Sequence, residues 1–230
     1  MLSAASLAPP LPCLAGWEQS IDALRETGAY FHSRGWSVGT SSNYSVVLSH
    51  QPLELIVTAS GMDKGRLERC DFVRVGNDGR PTTADQPKSS AETFLHLVVA
   101  QERPEVGCIL HTHSVWATLL SDLFAAEGGF NIEGYEMLKG FSGVTTHEYN
   151  AWIEIFENTQ EIPVLAEQVR ARLRDSQPLK HGYLIRKHGL YTWGRDVAEA
   201  RRHIEIFEFL MECTARRLML SAALPTIAGT

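Results

Sequence analysis

Cysteine is scarce and scattered in this sequence. The four residues, Cys13, Cys70, Cys108 and Cys213, stand singly in a chain of 230. They form no CxxC pair and none of the regular spacing that small secreted domains use as a disulfide framework, so a reducing, cytoplasmic compartment is expected. A lysine/arginine block is also missing: 21 basic against 27 acidic side chains leave a formal charge of −6. That balance offers no polyphosphate-binding stripe, and nucleic acid is not an expected partner. No apolar run approaches the roughly 18–20 residues that span a bilayer, so no membrane partner is expected either. The opening MLSAASLAPPLPCLAGW lacks a basic leader region, and Pro9, Pro10 and Pro12 interrupt the helical core of an export signal. Residues 1–16 are therefore expected to be a disordered arm. With no internal repeat and no linker, residues 17–222 form one expected domain, followed by a frayed tail at 223–230.

What is present reads as alternating α and β segments. Ile21, Leu24, Gly28 and Phe31 recur at helical spacing and predict a helix over 17–35. Residues 43–49 and 53–58 are rich in β-branched side chains, with His50-Gln51-Pro52 as the turn, and 71–75 reads as a third strand before the turn Asn77-Asp78-Gly79. Ser89-Ser90-Ala91-Glu92 opens a helix carrying Phe94, Leu95, Val98 and Val99. A strand at 106–110, a helix at 115–124, a loop around Gly128-Gly129, a strand at 151–156 and a helix from Pro163 to Arg174 follow. Short strands at 183–187 and 190–193 lead to a long helix over 197–221, with Ile204, Phe207, Leu210, Met211 and Leu218 toward the core. The expected architecture is a single-domain α/β sandwich in which helices cover a central, mainly antiparallel sheet.

Chemistry concentrates in the histidines. In Leu110-His111-Thr112-His113, at a strand end, residues two apart share a face, so both imidazoles can reach one ion. As a bare pattern HxH carries little, and solvated loop histidines are the alternative. His188, in Arg186-Lys187-His188-Gly189, adds a third imidazole at another strand end, beside a glycine that permits close backbone approach. Three protein ligands leave a coordination position open, as catalytic zinc sites do. Fe, Mn and Co suit the same donors. His32, His50, His147 and His181 have no partner spacing and read as surface or hydrogen-bonded residues, while His96 and His203, both on helices, read as satisfied core or supporting groups.

From residue 17 to about 220 the motifs resemble the class II aldolase/adducin superfamily. Gly39-Thr40-Ser41-Ser42-Asn43-Tyr44-Ser45 is similar to its G-x-x-x-N-x-S phosphate loop, Thr58-Ala59-Ser60-Gly61 to its T-x-S/T-G turn, and Ser89-Ser90-Ala91-Glu92 to its S-x-E segment. His111-Thr112-His113 and His188-Gly189 match its two zinc-binding elements. Glu136-Met137-Leu138-Lys139-Gly140, Glu157-Asn158-Thr159 and the run from Arg186 to Gly194 resemble a branch that dehydrates a ketose 1-phosphate rather than the sugar-phosphate aldolases.

The resemblance implies one Zn2+ per subunit on His111, His113 and His188, a sugar phosphate substrate, and a homotetramer. It also implies that Glu136 is the general acid/base, a duty favoured by burial that raises its pKa toward neutrality. The phosphate would rest on small residues, Ser41, Asn43, Ser60, Gly61 and Ser90, whose turns present backbone N–H groups to an anion. Lys64 either adds charge there or is a solvated surface lysine. Ala91 replaces a serine common in the aldolases. Glu92 matches the position that serves aldolases as metal ligand or base, and here it is expected to contact substrate or support the site. Trp116, Phe124, Phe130 and Tyr135 are candidates for a subunit interface, with the core as the default. A zinc aldolase or epimerase on another sugar phosphate remains an alternative, as does an adducin-like binding domain, which the three intact histidines disfavour.

Overall fold

Both faces of the sheet in this protein are covered, which explains why its central strands read as apolar runs rather than as strict alternation. The computed structural model describes residues 10–223. The strands are β1 (Asn43–His50), β2 (Leu53–Thr58), β3 (Phe72–Val75), β4 (Cys108–Thr112), β5 (Gly129–Ile132), β6 (Ala151–Phe156), β7 (Gly182–Ile185) and β8 (Gly189–Gly194). They make one eight-stranded sheet in the order β3-β2-β1-β4-β8-β7-β6-β5. Every neighbouring pair is antiparallel except β6 with β7.

The helices are α1 (Glu18–Ser33), α2 (Thr93–Glu102), α3 (Val115–Leu123), α4 (Ile162–Arg174) and α5 (Val197–Ala223). On one face Ile21, Leu24 and Phe31 of α1 and Ile204, Phe207 and Leu210 of α5 pack with Tyr44, Cys108, Leu110 and Leu190 of the sheet. On the other, Leu95 and Val99 of α2 and Leu165 and Val169 of α4 pack with Val57, Ile109, Tyr183 and Tyr191. Along β4 the side chains therefore alternate: Cys108 and Leu110 face α1 and α5, whereas Ile109 faces α2 and α4. His111 follows Ile109 at period two. That parity carries it toward the start of α2.

Three expectations change. The arm is not disordered throughout its length: Pro12–Leu14 is a 3-10 helix and Leu14 is fully buried in the core, because a leucine beside two packed neighbours gains more from burial than the short segment loses in entropy. Residues 1–9 and the expected tail from 224 lie outside the described residues. The loop expected around Gly129 begins an edge strand, β5, whose register is set by its pairing with β6, a contact too distant for local pattern to reveal. Leu218, expected toward the core, is exposed on α5.

Candidate metal centre and substrate cavity

Three chain segments meet at the end of β4. His111 is its penultimate residue and pairs across the sheet with Asn43 on β1 and Tyr191 on β8. His113 lies just past the strand, its amide donating to the Trp36 carbonyl at 2.8 Å. His188 occupies the turn between β7 and β8, which α3 holds in place: the Lys187 amide donates to the Ser121 hydroxyl at 3.0 Å, and Thr118 donates to the His188 carbonyl at 3.3 Å. Gly189 is required next to it, since a Cβ there would fall 2.0 Å from the Thr112 carbonyl oxygen and 3.0 Å from His111 Cε1.

The structure thus brings the three expected histidines together. Their ring centroids lie 4.5, 5.0 and 4.6 Å apart, and each ring offers one nitrogen within 4.8 Å of the others. His111 Nδ1 is 2.9 Å from the Leu190 carbonyl, an acceptor, so that nitrogen carries the proton and Nε2 keeps its lone pair. Nε2 is buried and has no hydrogen-bond partner among the described residues, and the same holds for His188 Nδ1. Burial pushes the His111 pKa well below its ordinary value, with the neighbouring His113 and His188 adding to the effect. His113 is lowered to about 4 by burial and by the charges of His188 and Lys64, against the pull of Glu92. Three converging imidazoles, two of them with an orphaned buried nitrogen, are the donor set that a metal ion requires, so the triad fits a metal.

Glu92, immediately before α2, is the carboxylate at this centre. Its Oε1 lies 3.1 Å from His188 Nε2 and its Oε2 3.9 Å from His111 Nε2. Asn43 donates to Oε2 at 2.6 Å, and Asn43 Oδ1 in turn accepts from His96 Nε2 at 2.5 Å. His96 Nδ1 then accepts from Ser45 at 2.8 Å. Burial alone would raise the Glu92 pKa, but its contacts with His188, His111 and Asn43 hold it well below the usual carboxylate range. His96, expected as a satisfied core or supporting group, is one, buried behind Asn43, although the sequence did not show which residue it supports. Its short polar neighbours give no signal in sequence.

Beside the triad is a cavity of about 240 Å3, and every expected phosphate residue lines it: Ser41, Asn43, Ser60, Gly61 and Ser90, together with Glu92 and His113. Backbone at Gly39 (φ 62°), Ser42 (φ 73°) and Gly61 (φ 77°) turns through the left-handed region to shape its walls. Ser90 accepts from the Glu92 amide at 3.2 Å and so fixes the entry to α2.

For Lys64 one of the two alternatives falls, and for Glu136 the expectation is corrected. Lys64 is no surface lysine: it is 1% exposed, with Nζ donating to the carbonyls of Met62 (2.7 Å) and Thr40 (3.3 Å). Glu136, expected in a burying environment that raises its pKa, starts a 3-10 helix (Glu136–Gly140) and is 68% exposed. It pairs with Lys139 and lies 3.7 Å from His147, and the hydrogen bond from Lys139 holds its pKa below the ordinary value rather than above it. Its described contacts do not include the triad of its own chain. The local reason is that the helix places Lys139 one turn away, in reach of the carboxylate.

Comparison with known proteins agrees with this geometry. The chain is 50% identical over 191 residues to the methylthioribulose-1-phosphate dehydratase of Marinobacter nauticus, a match covering 83% of this chain and 90% of that protein. It is 47% identical over 194 residues to the enzyme of the same name from Stenotrophomonas maltophilia strain K279a, covering 84% and 86% of the two chains. Among solved structures it is similar to L-fuculose-1-phosphate aldolase from Thermus thermophilus, with a TM-score of 0.70 at 19% identity over 89% of this chain and 98% of that one. A likeness at that identity speaks for the fold. Residues 22–215 match the class II aldolase and adducin N-terminal domain, and the chain belongs to that family.

Proposed function

We propose that this protein is a zinc-dependent methylthioribulose-1-phosphate dehydratase, a lyase of methionine salvage that converts 5-methylthioribulose 1-phosphate to 2,3-diketo-5-methylthiopentyl 1-phosphate. The observation that carries the reading is identity of about 50% to enzymes of that name over most of both chains. The contiguity of the triad with a small-residue cavity supports it: a phosphorylated ketose has its phosphate one carbon from the C2 carbonyl, so anion site and metal site must adjoin.

The reaction removes the C3 proton and the C4 hydroxyl as water, and the resulting C3 enol ketonises with protonation at C4. His111, His113 and His188 would hold the ion, and zinc bound there supplies Lewis acidity that stabilises negative charge as it develops on the C2 oxygen. The turns at Ser41, Ser60 and Gly61 and the hydroxyl of Ser90 anchor the phosphate, which fixes C3 relative to the triad. Glu92 remains ionised, clamped by Asn43 and His188, and acts as a fixed anion that orients His188 and contacts substrate. A proton shuttle must be free to reach the substrate, which suits a lightly held carboxylate better than a clamped one. Glu136 is that group. Its pairing with Lys139 is an exposed one and opens easily.

Because Glu136 makes no contact with its own triad, it acts on the site of a neighbouring copy, within a cytoplasmic homotetramer. Trp116, Phe124, Phe130 and Tyr135 pack against the core of the chain. Exposed apolar side chains near the site are instead Val115, Leu119 and Leu123 of α3, which begins two residues after His113, and Met137 beside Glu136. One observation favours a second reading, a zinc aldolase or epimerase on another sugar phosphate: Glu92 stands at the triad, where the aldolase-like position would place a base. The test is a metal-quantified assay with methylthioribulose 1-phosphate. About one zinc per chain and formation of the diketone support the dehydratase, and carbon–carbon cleavage products from a sugar-phosphate panel, without diketone, overturn it.

A further inference from the structure

Lys64 is a buried cation without an anion. No carboxylate of the described residues lies within ion-pairing distance of Nζ, whose partners are two carbonyl oxygens, those of Met62 and Thr40. Burying an ammonium unpaired is costly, and an isolated site of this kind ordinarily loses its lysine or acquires a counter-ion. The surroundings are built to keep it. Gly28 of α1 lets the helix approach so closely that a Cβ there would meet the Lys64 carbonyl at 2.6 Å. The two carbonyls that hold Nζ belong to the two turns flanking the cavity, since Thr40 precedes Ser41 and Met62 follows Gly61. Nζ has three N–H donors and these contacts use two. The charge therefore sits behind the wall of a cavity lined by hydroxyls and turn backbone. Asp63, and after it Glu92 and Asp71, are near enough to favour the charged form without pairing with it, although burial dominates and lowers the lysine's pKa to about 8.

We infer that Lys64 is a positioning residue for the phosphate of the substrate: it ties the 39–43 turn to the 58–62 turn and supplies the fixed positive charge that the phosphate dianion neutralises on binding. The inference rests on the phosphorylated-substrate reading of the cavity and goes beyond it, since Lys64 does not line the cavity and is not required by the resemblance. Hydroxyls and turn amides accept small anions of any charge. A cation behind them selects the dianion.

The experiment uses the zinc-loaded full chain with inorganic phosphate as probe, followed by calorimetry, and compares the parent with Lys64→Gln and Lys64→Met. Glutamine keeps a donor for the two carbonyls and removes the charge. Both variants are expected to bind phosphate at least tenfold more weakly. KM for a phosphorylated substrate rises in parallel while kcat changes little. Phosphate binding by Lys64→Gln equal to that of the parent overturns the inference and leaves Lys64 a staple between turns. So does a parent that binds no phosphate. If neither variant folds, the 13C ε-methylene resonance of Lys64 in the parent decides: a shift on adding phosphate supports the inference, and no shift overturns it. A parent that binds phosphate through Lys64 but forms no diketone supports the inference while overturning the dehydratase reading.

Discussion

The imidazole of His111 lies flat on the ring of Tyr191, with centroids 3.9 Å apart and planes within 15° of each other. The stack follows from cross-strand pairing of the two residues on β4 and β8, and it fixes the plane of the imidazole while the Leu190 carbonyl fixes its tautomer. Such supporting contacts govern metal affinity. Tyr191→Ala is expected to loosen the bound metal by roughly 10- to 100-fold, because the freed ring must be reordered on each binding event. Competition against a chromogenic chelator measures this, and an unchanged affinity would show that the Leu190 hydrogen bond orients His111 alone.

Gly189→Ala tests the close approach between β8 and β4. The added methyl would fall 2.0 Å from the Thr112 carbonyl oxygen, and backbone cannot rotate away as a side chain can. The strands must part, at a cost of about 3 kcal/mol, and the ligands His111 and His188 part with them. A lower thermal midpoint together with loss of metal stoichiometry is expected. A stable variant that loses metal alone would locate the strain in the 186–188 turn instead.

Much of this centre was legible because its signals are local. Period two along a strand joins His111 to His113, and glycine after His188 marks a close approach; both appear in sequence as they do in space. The residues expected to hold phosphate were picked out through short turn motifs, and those turns line one cavity. What escaped depends on distant packing. The burial of Lys64 is decided by α1, through Gly28, and nothing adjacent to Lys64 announces it. The Asn43–His96–Ser45 hydrogen-bond chain requires knowing that α2 lies over β1. His203, which could have supported the triad, instead bonds the Trp193 carbonyl and the Ser142 amide, packing with Phe141 and His181 elsewhere in the fold. Glu136 has a motif but no metal beside it, since its motif encodes a helix start and not a position relative to His111.

Glu208 sets a limit on alkaline stability. It is buried in the side of α5 near Ser114, and neither carboxylate oxygen has a hydrogen-bond partner among the described residues. Burial pushes its pKa up to about 8 from an ordinary 4.5, and the charge of Glu212 adds to the effect. Between those values the folded state holds a proton that the unfolded chain has released, so stability is greatest below pH 4.5 for this group and is lost as pH rises through 8. Glu208→Gln removes the dependence. The gain is on the order of 3 kcal/mol at pH 7 as an upper bound. Urea unfolding at pH 5 and 8 measures it, and a variant that gains equally at both pH values would contradict the titration.

His96 works in the opposite direction. It is wholly buried, which lowers its pKa to about 4 from 6.5, while Glu92 pulls weakly the other way. Its folded pKa lies below the unfolded one, so its contribution to stability is complete above pH 6.5 and is lost as pH falls toward 4. The loss amounts to about 3 kcal/mol at most. His96→Gln, which preserves a donor toward Asn43, is expected to flatten the decline of stability between pH 6.5 and 4. Equal acid sensitivity in variant and parent would transfer the effect to the other buried histidines.

The place of Glu136 is open to a direct test by mixing. If it serves the triad of a neighbouring copy, Glu136→Gln and His113→Ala are each inactive alone for different reasons. A His113→Ala chain still presents Glu136, and a Glu136→Gln chain still presents three histidines. Dissociating the two variants, combining them in equal amounts and reassembling creates composite sites, one chain giving the triad and its neighbour the carboxylate. For random assembly of symmetric oligomers about a quarter of sites are then intact, so activity should reappear on mixing and grow with the time allowed for subunit exchange. A carboxylate acting within its own chain gives no recovery at any ratio, because no chain in the mixture carries both groups. That result would move the shuttle to Glu92, which already lies 3.1 Å from His188, and Glu92→Gln would then have to abolish turnover while the metal stays bound.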